Sequence, residues 1–333
     1  MTPIPSPDPS PGSFFLRAWH LLRGRRWLAE LATGAYIALI AVAADKTGVA
    51  YILFPELGAL AHDIFQRPHG TWSKAPLMLV VTPFLTAVIG TLLTQHLPYG
   101  VVSVLLSVGS SILIIRSLRS PVAPAISAGL LPLTLGIPSW MYPPSILIGT
   151  VMLALISIPW RRLAAAPPAV PSPGDLAADI TEQPPRHYTW VPFFLAFLVG
   201  TVLAAEFTGW RFLLFPPLVV MGFEMFAHSA VCPWANRPVI LPVACTLTAA
   251  GGVLLVSLFG VGSLAAIGST LFGVLVLRVL KLHVPPAVAV GLLPFVIDDP
   301  GFRFPIAVGL GTALLTGSFL LWRTSIRFKR TMA

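Results

Sequence analysis

The chain has 333 residues, of which 56% are hydrophobic and only 10% charged, with a mean hydropathy of +0.86. A water-soluble domain cannot hide that much apolar surface, so the solvent for most of this chain is lipid. The net charge of +9 does not point to nucleic acid, because the basic residues stand in small groups between apolar runs rather than on one patch.

Residues 1–26 open with a Pro/Ser-rich stretch, 1–13, whose composition predicts disorder, followed by a basic collar of Arg17, Arg23, Arg25 and Arg26. No signal-peptide pattern precedes the first apolar run, which is therefore expected to stay in the mature protein. Segment one covers about 27–44 and ends at Asp45-Lys46-Thr47-Gly48. Segment two, 51–65, is short and carries Pro55 in its first turn, where proline is tolerated. Segments three (76–94), four (101–115, ending at Arg116 and Arg119), five (121–135) and six (142–162) complete a first unit, 27–162. Residues 163–186 are rich in Pro and Ala and read as a linker, extended in part. A second unit, 187–323, and a basic tail, 324–333, follow.

The second unit restarts the first. Asp45, Thr47 and Gly48 return as Glu206, Thr208 and Gly209, Phe54-Pro55 as Phe215-Pro216, and Asp63 as Glu224, all 161 positions later. At an offset of 162, Trp72 matches Trp234, Arg116 matches Arg278, the stretch Ser120–Pro132 matches Leu282–Pro294, and Trp160-Arg161 matches Trp322-Arg323. This is an internal duplication. The fold class that follows is an all-α polytopic membrane protein built from two tandem repeats of about six segments.

The number of crossings per repeat decides whether the repeats are parallel or inverted. If all six segments cross, 18 Lys and Arg lie on the starting side and 3 (Lys46, Arg211, Arg303) on the other; if segments two and five merely re-enter, the split is 11 to 10. The positive-inside rule selects the first topology. It implies twelve segments, both termini cytoplasmic in the inner membrane of a prokaryote, and a pseudo-two-fold axis along the membrane normal. Segments two and five offer about 14–17 residues each, where about 20 are needed to cross, so neighbours must bury them or non-helical backbone must extend them. Their proline-bearing N-termini carry free N–H groups, which suit small anions.

The opening Phe54-Pro55-Glu56-Leu57-Gly58-Ala59, the small-residue run Thr86-Ala87-Val88-Ile89-Gly90, the proline pair with alanine, Pro285-Pro286-Ala287, and a closing stretch from Pro143 to Arg161 resemble the HPP family of integral membrane proteins. The family motif is His-Pro-Pro, usually continued Ala-Gly-Ala. Here Val288 replaces the glycine, His283 stands one residue early, and the first repeat keeps Pro124-Ala125 without a histidine. The resemblance covers both repeats. It implies about four spans per unit, against the six segments read from the sequence, and, from some members, nitrite transport.

The candidate substrate site is therefore the set of short-segment N-termini: Phe54, Pro55, Phe215, Pro216, Pro124, Ala125, Pro285 and Pro286. Candidate coupling or gating groups are Asp63 and Glu224, acids at membrane depth, the basic residues Arg116 and Arg278, which could funnel an anion or simply anchor the topology, and His283, a possible proton carrier. The plainer reading of Asp63 and Glu224 pairs them with Arg67, Arg116 or Arg278. Tryptophans 27, 72, 140, 160, 190, 210, 234 and 322 fall near segment ends, as an interfacial belt requires. Cys232 and Cys245 lack disulfide or zinc spacing and read as packing residues. His62, Asp63 and His228 do not recur as a metal pattern between repeats, and no catalytic or ATP-binding motif is present, so neither catalysis, metal nor cofactor is expected.

Three functions fit this pattern. The favoured one is a secondary transporter or channel for a small solute, preferably an anion, with its site between the repeats near the midplane. A membrane scaffold or subunit of a homo-oligomer would instead show a packed interface between repeats. A membrane-embedded enzyme for a lipid or quinone would need polar residues clustered in one repeat, which the sequence does not display.

Overall fold

The computed structural model describes residues 25–164, 172–185 and 187–331. The Pro/Ser-rich start, Arg186 and much of the proline-rich linker lie outside them. Among the described residues there is no strand. The first half comprises α1 (Arg25–Thr47), a 3-10 turn (Ala50–Ile52), α2 (Glu56–Gln66), α3 (Thr71–Lys74), α4 (Pro76–His96), α5 (Val101–Ser117), α6 (Ala125–Leu135) and α7 (Tyr142–Leu163). A linker helix α8 (Pro173–Thr181) leads to the second half. That half holds α9 (Val191–Thr208), a 3-10 turn (Arg211–Leu214), α10 (Pro216–Ala227), a 3-10 turn (Pro233–Asn236), α11 (Ile240–Phe259), α12 (Ser263–Val279), α13 (Pro285–Leu292), a 3-10 turn (Leu293–Phe295) and α14 (Arg303–Thr331).

Six of these helices, α1, α4, α7, α9, α11 and α14, are long and apolar enough to cross a membrane. Helices α5 and α12, at 17 residues each, span about 26 Å at 1.5 Å per residue. The long helices and α5 carry exposed Leu side chains, among them Leu113, Leu155, Leu203, Leu258 and Leu321. That pattern suits lipid as the surrounding medium. The chain is an all-α polytopic membrane protein.

The short segments behave differently. Helices α2, α6, α10 and α13 have 11, 11, 12 and 8 residues, too few to cross about 30 Å of hydrocarbon. None of them is a crossing on its helix alone. Each is sealed from the exterior: residues 125–134, 216–226 and 285–292 are buried without exception, and α2 exposes only His62 and Gln66 in part. They pack across the halves, α2 on α13 and α6 on α10, with α10 and α13 also in contact. The long helices α1 and α9 reach over as well, α1 packing on α12 and α9 on α5.

The duplication read from sequence recurs as local geometry. Gly90 lies against the Gly129 backbone, and a Cβ there would fall 2.0 Å from the Gly129 carbonyl oxygen; at Gly252 the same Cβ would meet the Gly291 carbonyl at 2.2 Å. The hydroxyls of Ser107 and Ser269 donate to those same two carbonyls at 2.9 and 2.6 Å. Arg161 and Arg323 donate to the carbonyls of Ser73 and Ala235 at 3.1 and 3.2 Å. Small residues at helix crossings, with hydroxyls bridging to exposed carbonyls, are how helices associate where no hydrophobic effect separates them from lipid.

One sequence expectation needs correction. Trp72, Trp190, Trp234 and Trp322 are buried rather than set in an interfacial belt. Trp72 Nε1–H, for example, donates to the Pro121 carbonyl at 2.9 Å, which consumes its polar handle inside the protein. Within the linker, Ser172 caps α8 by accepting from Asp175 N–H, and Ala178 and Thr181 are buried against the body of the protein. Cys232 and Cys245 are buried and unbridged, with the Cys245 thiol 3.9 Å from the Met221 sulfur.

Because backbone cannot yield to a new methyl as a flexible side chain can, Gly90→Ala and Gly252→Ala should each cost about 1–3 kcal/mol. Thermal unfolding in detergent checks this, with Gly109→Ala, where a Cβ meets nothing within 4 Å, as the neutral control.

Candidate functional site

Ends of segments two, four and six gather at one face. Trp160 on α7 donates to the Phe65 carbonyl at the end of α2, and Arg237 reaches the Leu280 carbonyl after α12. Arg67, Arg116, Arg161, Arg237, Arg278, Lys281 and Arg323 thus share what is here called the basic face.

Leu118 and Leu280 end α5 and α12 with matching caps. The N–H groups of Ser120 and Leu282 bond back to Ile115 and Leu277 at 2.8 and 2.9 Å. The residue that turns the chain is Arg119 in one half (φ 50°) and Lys281 in the other (φ 51°). Left-handed backbone favours glycine. A basic residue takes that conformation at the equivalent turn of both halves.

Between α2 of the first half and α12–α13 of the second, a cavity of about 590 Å³ opens at this face. His62, Arg67, Arg278, Lys281, His283 and Asp175 line it. Arg278 also forms an ion pair with Glu30 on α1. In the other half, the equivalent Arg116 lies over the Tyr188 ring, 4.8 Å from its centre. Two further cavities, of about 330 and 280 Å³, open among residues of the opposite loops, around Asp298, Asp299, Arg211 and Arg303 and around Asp45, Gly48 and Gly262.

A buried cation on the basic face is Arg67, whose side chain is 8% exposed. Its guanidinium takes the Asp63 carboxylate in bidentate fashion at 2.8 Å, Asp179 at 2.9 Å, and Glu182. Asp179 and Glu182 belong to the linker, so Arg67 fastens α8 over the end of α2. Thr71 adds its N–H and hydroxyl to the same Asp179 oxygen at 3.1 and 3.0 Å. Glu224, the repeat partner of Asp63, is buried close enough to act on Asp63 and Arg67 electrostatically. One guanidinium thus serves four acids drawn from both halves and the linker. Burial works against the Arg67 charge, but Asp63, Glu182 and Asp179 together hold it charged. Burial, with Asp63 adding to it, holds the Glu182 carboxyl well above the usual carboxylate range; Arg67 opposes this but is already shared.

Of the sequence-predicted coupling groups, Asp63 is paired with Arg67, as its plainer reading had it. His283 brings Nε2 to 3.8 Å from Asp63 across the halves. Burial lowers the His283 affinity for a proton and Asp63 opposes it, although 41% of the side chain remains accessible. Glu224, His283, Pro285 and Pro286 share a void of only about 10 Å³ with Glu182, Trp72 and Trp234. The other predicted positions, Phe54, Pro55, Phe215, Pro216, Pro124 and Ala125, are buried in packed surroundings. The four N-termini do not converge on an open chamber.

Sequence reasoning missed the linker acids, because a proline-rich stretch gives no reason to expect a docked helix. It also missed Glu56. That side chain is 1% exposed, and neither carboxyl oxygen has a hydrogen-bond partner. Its signal was the register between repeats, which sets Pro217 opposite it. Among the described residues no cluster of His, Cys, Asp and Glu has a geometry that could hold a metal ion.

Removing Arg67 as Arg67→Ala leaves buried carboxylates uncompensated and should cost about 3–5 kcal/mol in thermal unfolding. For Glu182, a value raised on docking means the docked linker favours the protonated form. Docking is then strongest at acidic pH and weakens as pH rises through the raised value. Limited proteolysis within residues 163–190 should accelerate toward alkaline pH, and Glu182→Gln should flatten that dependence.

Comparison with protein-family models, with curated proteins and with solved structures finds no match for this chain.

Proposed function

We propose that the chain is a secondary transporter for a small anion in a prokaryotic inner membrane, with the basic face and both termini cytoplasmic. The observation that carries this reading is the cavity of about 590 Å³ between the halves, whose walls bring together Arg67, Arg278, Lys281, His62 and His283. A concave site of that size, with Arg278, Lys281 and two histidines facing the single acid Asp175 in its wall, carries an excess of basic groups that favours anions at its mouth. It reaches the N-terminus of α13 at Pro285, where the positive end of the helix dipole favours an anion. The resemblance to the HPP family is what suggests nitrite among small anions.

In this reading the two repeats are related by a pseudo-two-fold axis along the membrane normal, and alternating access is a rocking of one half on the other. The contacts that swap between halves, α2 with α13 and α6 with α10, are the surfaces that would slide.

A non-transporting scaffold or oligomer subunit is favoured by one observation, the dense packing of the four short helices at the centre. Uptake into proteoliposomes of nitrite, nitrate, formate and chloride separates the two. Saturable flux is expected for the transporter. The double variant Arg278→Gln with Lys281→Asn should lower kcat/KM roughly tenfold, and less at high salt. Asparagine tolerates the left-handed backbone at 281, so the change isolates charge. No flux of any of these anions above empty liposomes, from folded and oriented protein, would leave the scaffold.

A further inference from the structure

Glu56 starts α2, seven residues or about 10 Å before Asp63 along the helix, well inside the protein from the basic face. The Ser127 hydroxyl of α6 lies beside its carboxyl, with no closed hydrogen bond on either group. Tyr142 of α7 is close enough to interact with it. The Tyr142 hydroxyl donates to the Ala128 carbonyl at 2.9 Å, and its ring meets Tyr51 edge-on at 6.1 Å. Tyr51 is partly exposed toward the side of Asp298. On α1, the buried Tyr36 donates to the Gly149 carbonyl at 2.8 Å, beside Leu57.

The duplication supplies an internal control. In the second half the places of Glu56, Ser127, Tyr142, Tyr51 and Tyr36 are taken by Pro217, Ala289, Phe304, Phe212 and Phe197. The frame is unchanged: Phe212 and Phe304 meet edge-on at 5.3 Å, as Tyr51 and Tyr142 do. Every polar group of the first set is absent from the second, so none is needed to build the fold. A buried acid with both oxygens unpartnered is costly, and it persists in only one copy.

The other groups around α2 do not neutralise it. Helix α13 presents Val288 and Leu292 at Gly58, α6 and α7 supply only Ser127 and Tyr142, α1 supplies Tyr36, and α3 lies beyond the far end. Among the described residues no Arg, Lys or His acts on the carboxyl. Glu56 lines none of the four cavities described above. A metal cation would need several oxygen ligands, and the carboxyl and one hydroxyl do not supply them. A proton needs one.

We infer that Glu56, with Ser127 and Tyr142, is a proton-binding site built into the first repeat, reached from the face opposite the basic one along Tyr51 and Tyr142. The carboxyl takes up one proton on an oxygen and releases the same proton, with no other bond made or broken. Resting on the transporter reading, this site is the one through which a proton gradient would drive the anion; the proton binding itself stands apart from that reading.

Infrared difference spectroscopy of the whole protein, titrated from acidic to alkaline pH, tests it. A protonated-carboxyl band that disappears in a one-proton step, is missing in Glu56→Gln, and moves its midpoint by about one pH unit in Ser127→Ala is the expected result. If Glu56→Gln does not fold, the Ser127→Ala shift alone decides. Identical carboxyl bands in wild type and Glu56→Gln at every pH, or a midpoint unmoved by Ser127→Ala, overturn the assignment, as does a midpoint that follows sodium concentration. Uptake read beside it keeps the two proposals separate. A titrating band without anion flux removes the transporter and leaves the proton site, whereas flux in Glu56→Gln still driven by a pH gradient removes the coupling role.

Discussion

Backbone polar groups in lipid must find partners within the protein, and a helix of 8–12 residues cannot present both its ends to water across a bilayer. Everything else in this architecture answers that constraint for α2, α6, α10 and α13. The long helices form a wall around them, the short ones from opposite halves pack on each other, and hydroxyls such as Ser107 and Ser269 reach carbonyls at the glycine crossings. Each short helix packs both on helices of its own half and across the halves, α2 on α13 and α6 on α10, so the two halves share one buried centre. The two repeats are therefore one folding unit in the membrane, whatever their ancestry.

Much of this was legible in the sequence. The apolar runs gave segment positions within a few residues, because a helix in lipid must be apolar along its length and its ends are marked by Pro, Gly and basic residues. The offsets of 161 and 162 identified equivalent positions that the structure renders as matching glycine crossings, arginine-to-carbonyl bonds and left-handed turns at Arg119 and Lys281. The shortness of segments two and five was visible too, together with its consequence that neighbours must enclose them.

What sequence could not show was which groups meet. Asp63 and Arg67 are one helical turn apart and could be paired on paper, but the arrival of Asp179 and Glu182 required α8 to fold back, and composition alone made that stretch look extended. Tryptophan near a segment end reads as an interfacial anchor, yet Trp72 and Trp234 are buried, their indole N–H groups donating to the carbonyls of Pro121 and Met221. Glu56 escaped notice since an acid after Phe-Pro looks like a helix-start residue favoured by the dipole. Only its burial, and the loss of its polar neighbours at the equivalent place in the other repeat, separates it from an ordinary N-terminal glutamate.

The Pro/Ala-rich connection has a further consequence. Two identical single-repeat subunits would carry every residue twice, and a buried acid in one would stand in both. Joining the copies in one chain lets them diverge, so that Phe304 can hold a wall where Tyr142 stands in the other copy, and Pro217 can begin a helix where Glu56 begins its counterpart. Covalent fusion here is a means of division of labour: one half is free to become the inert frame against which the other changes its charge.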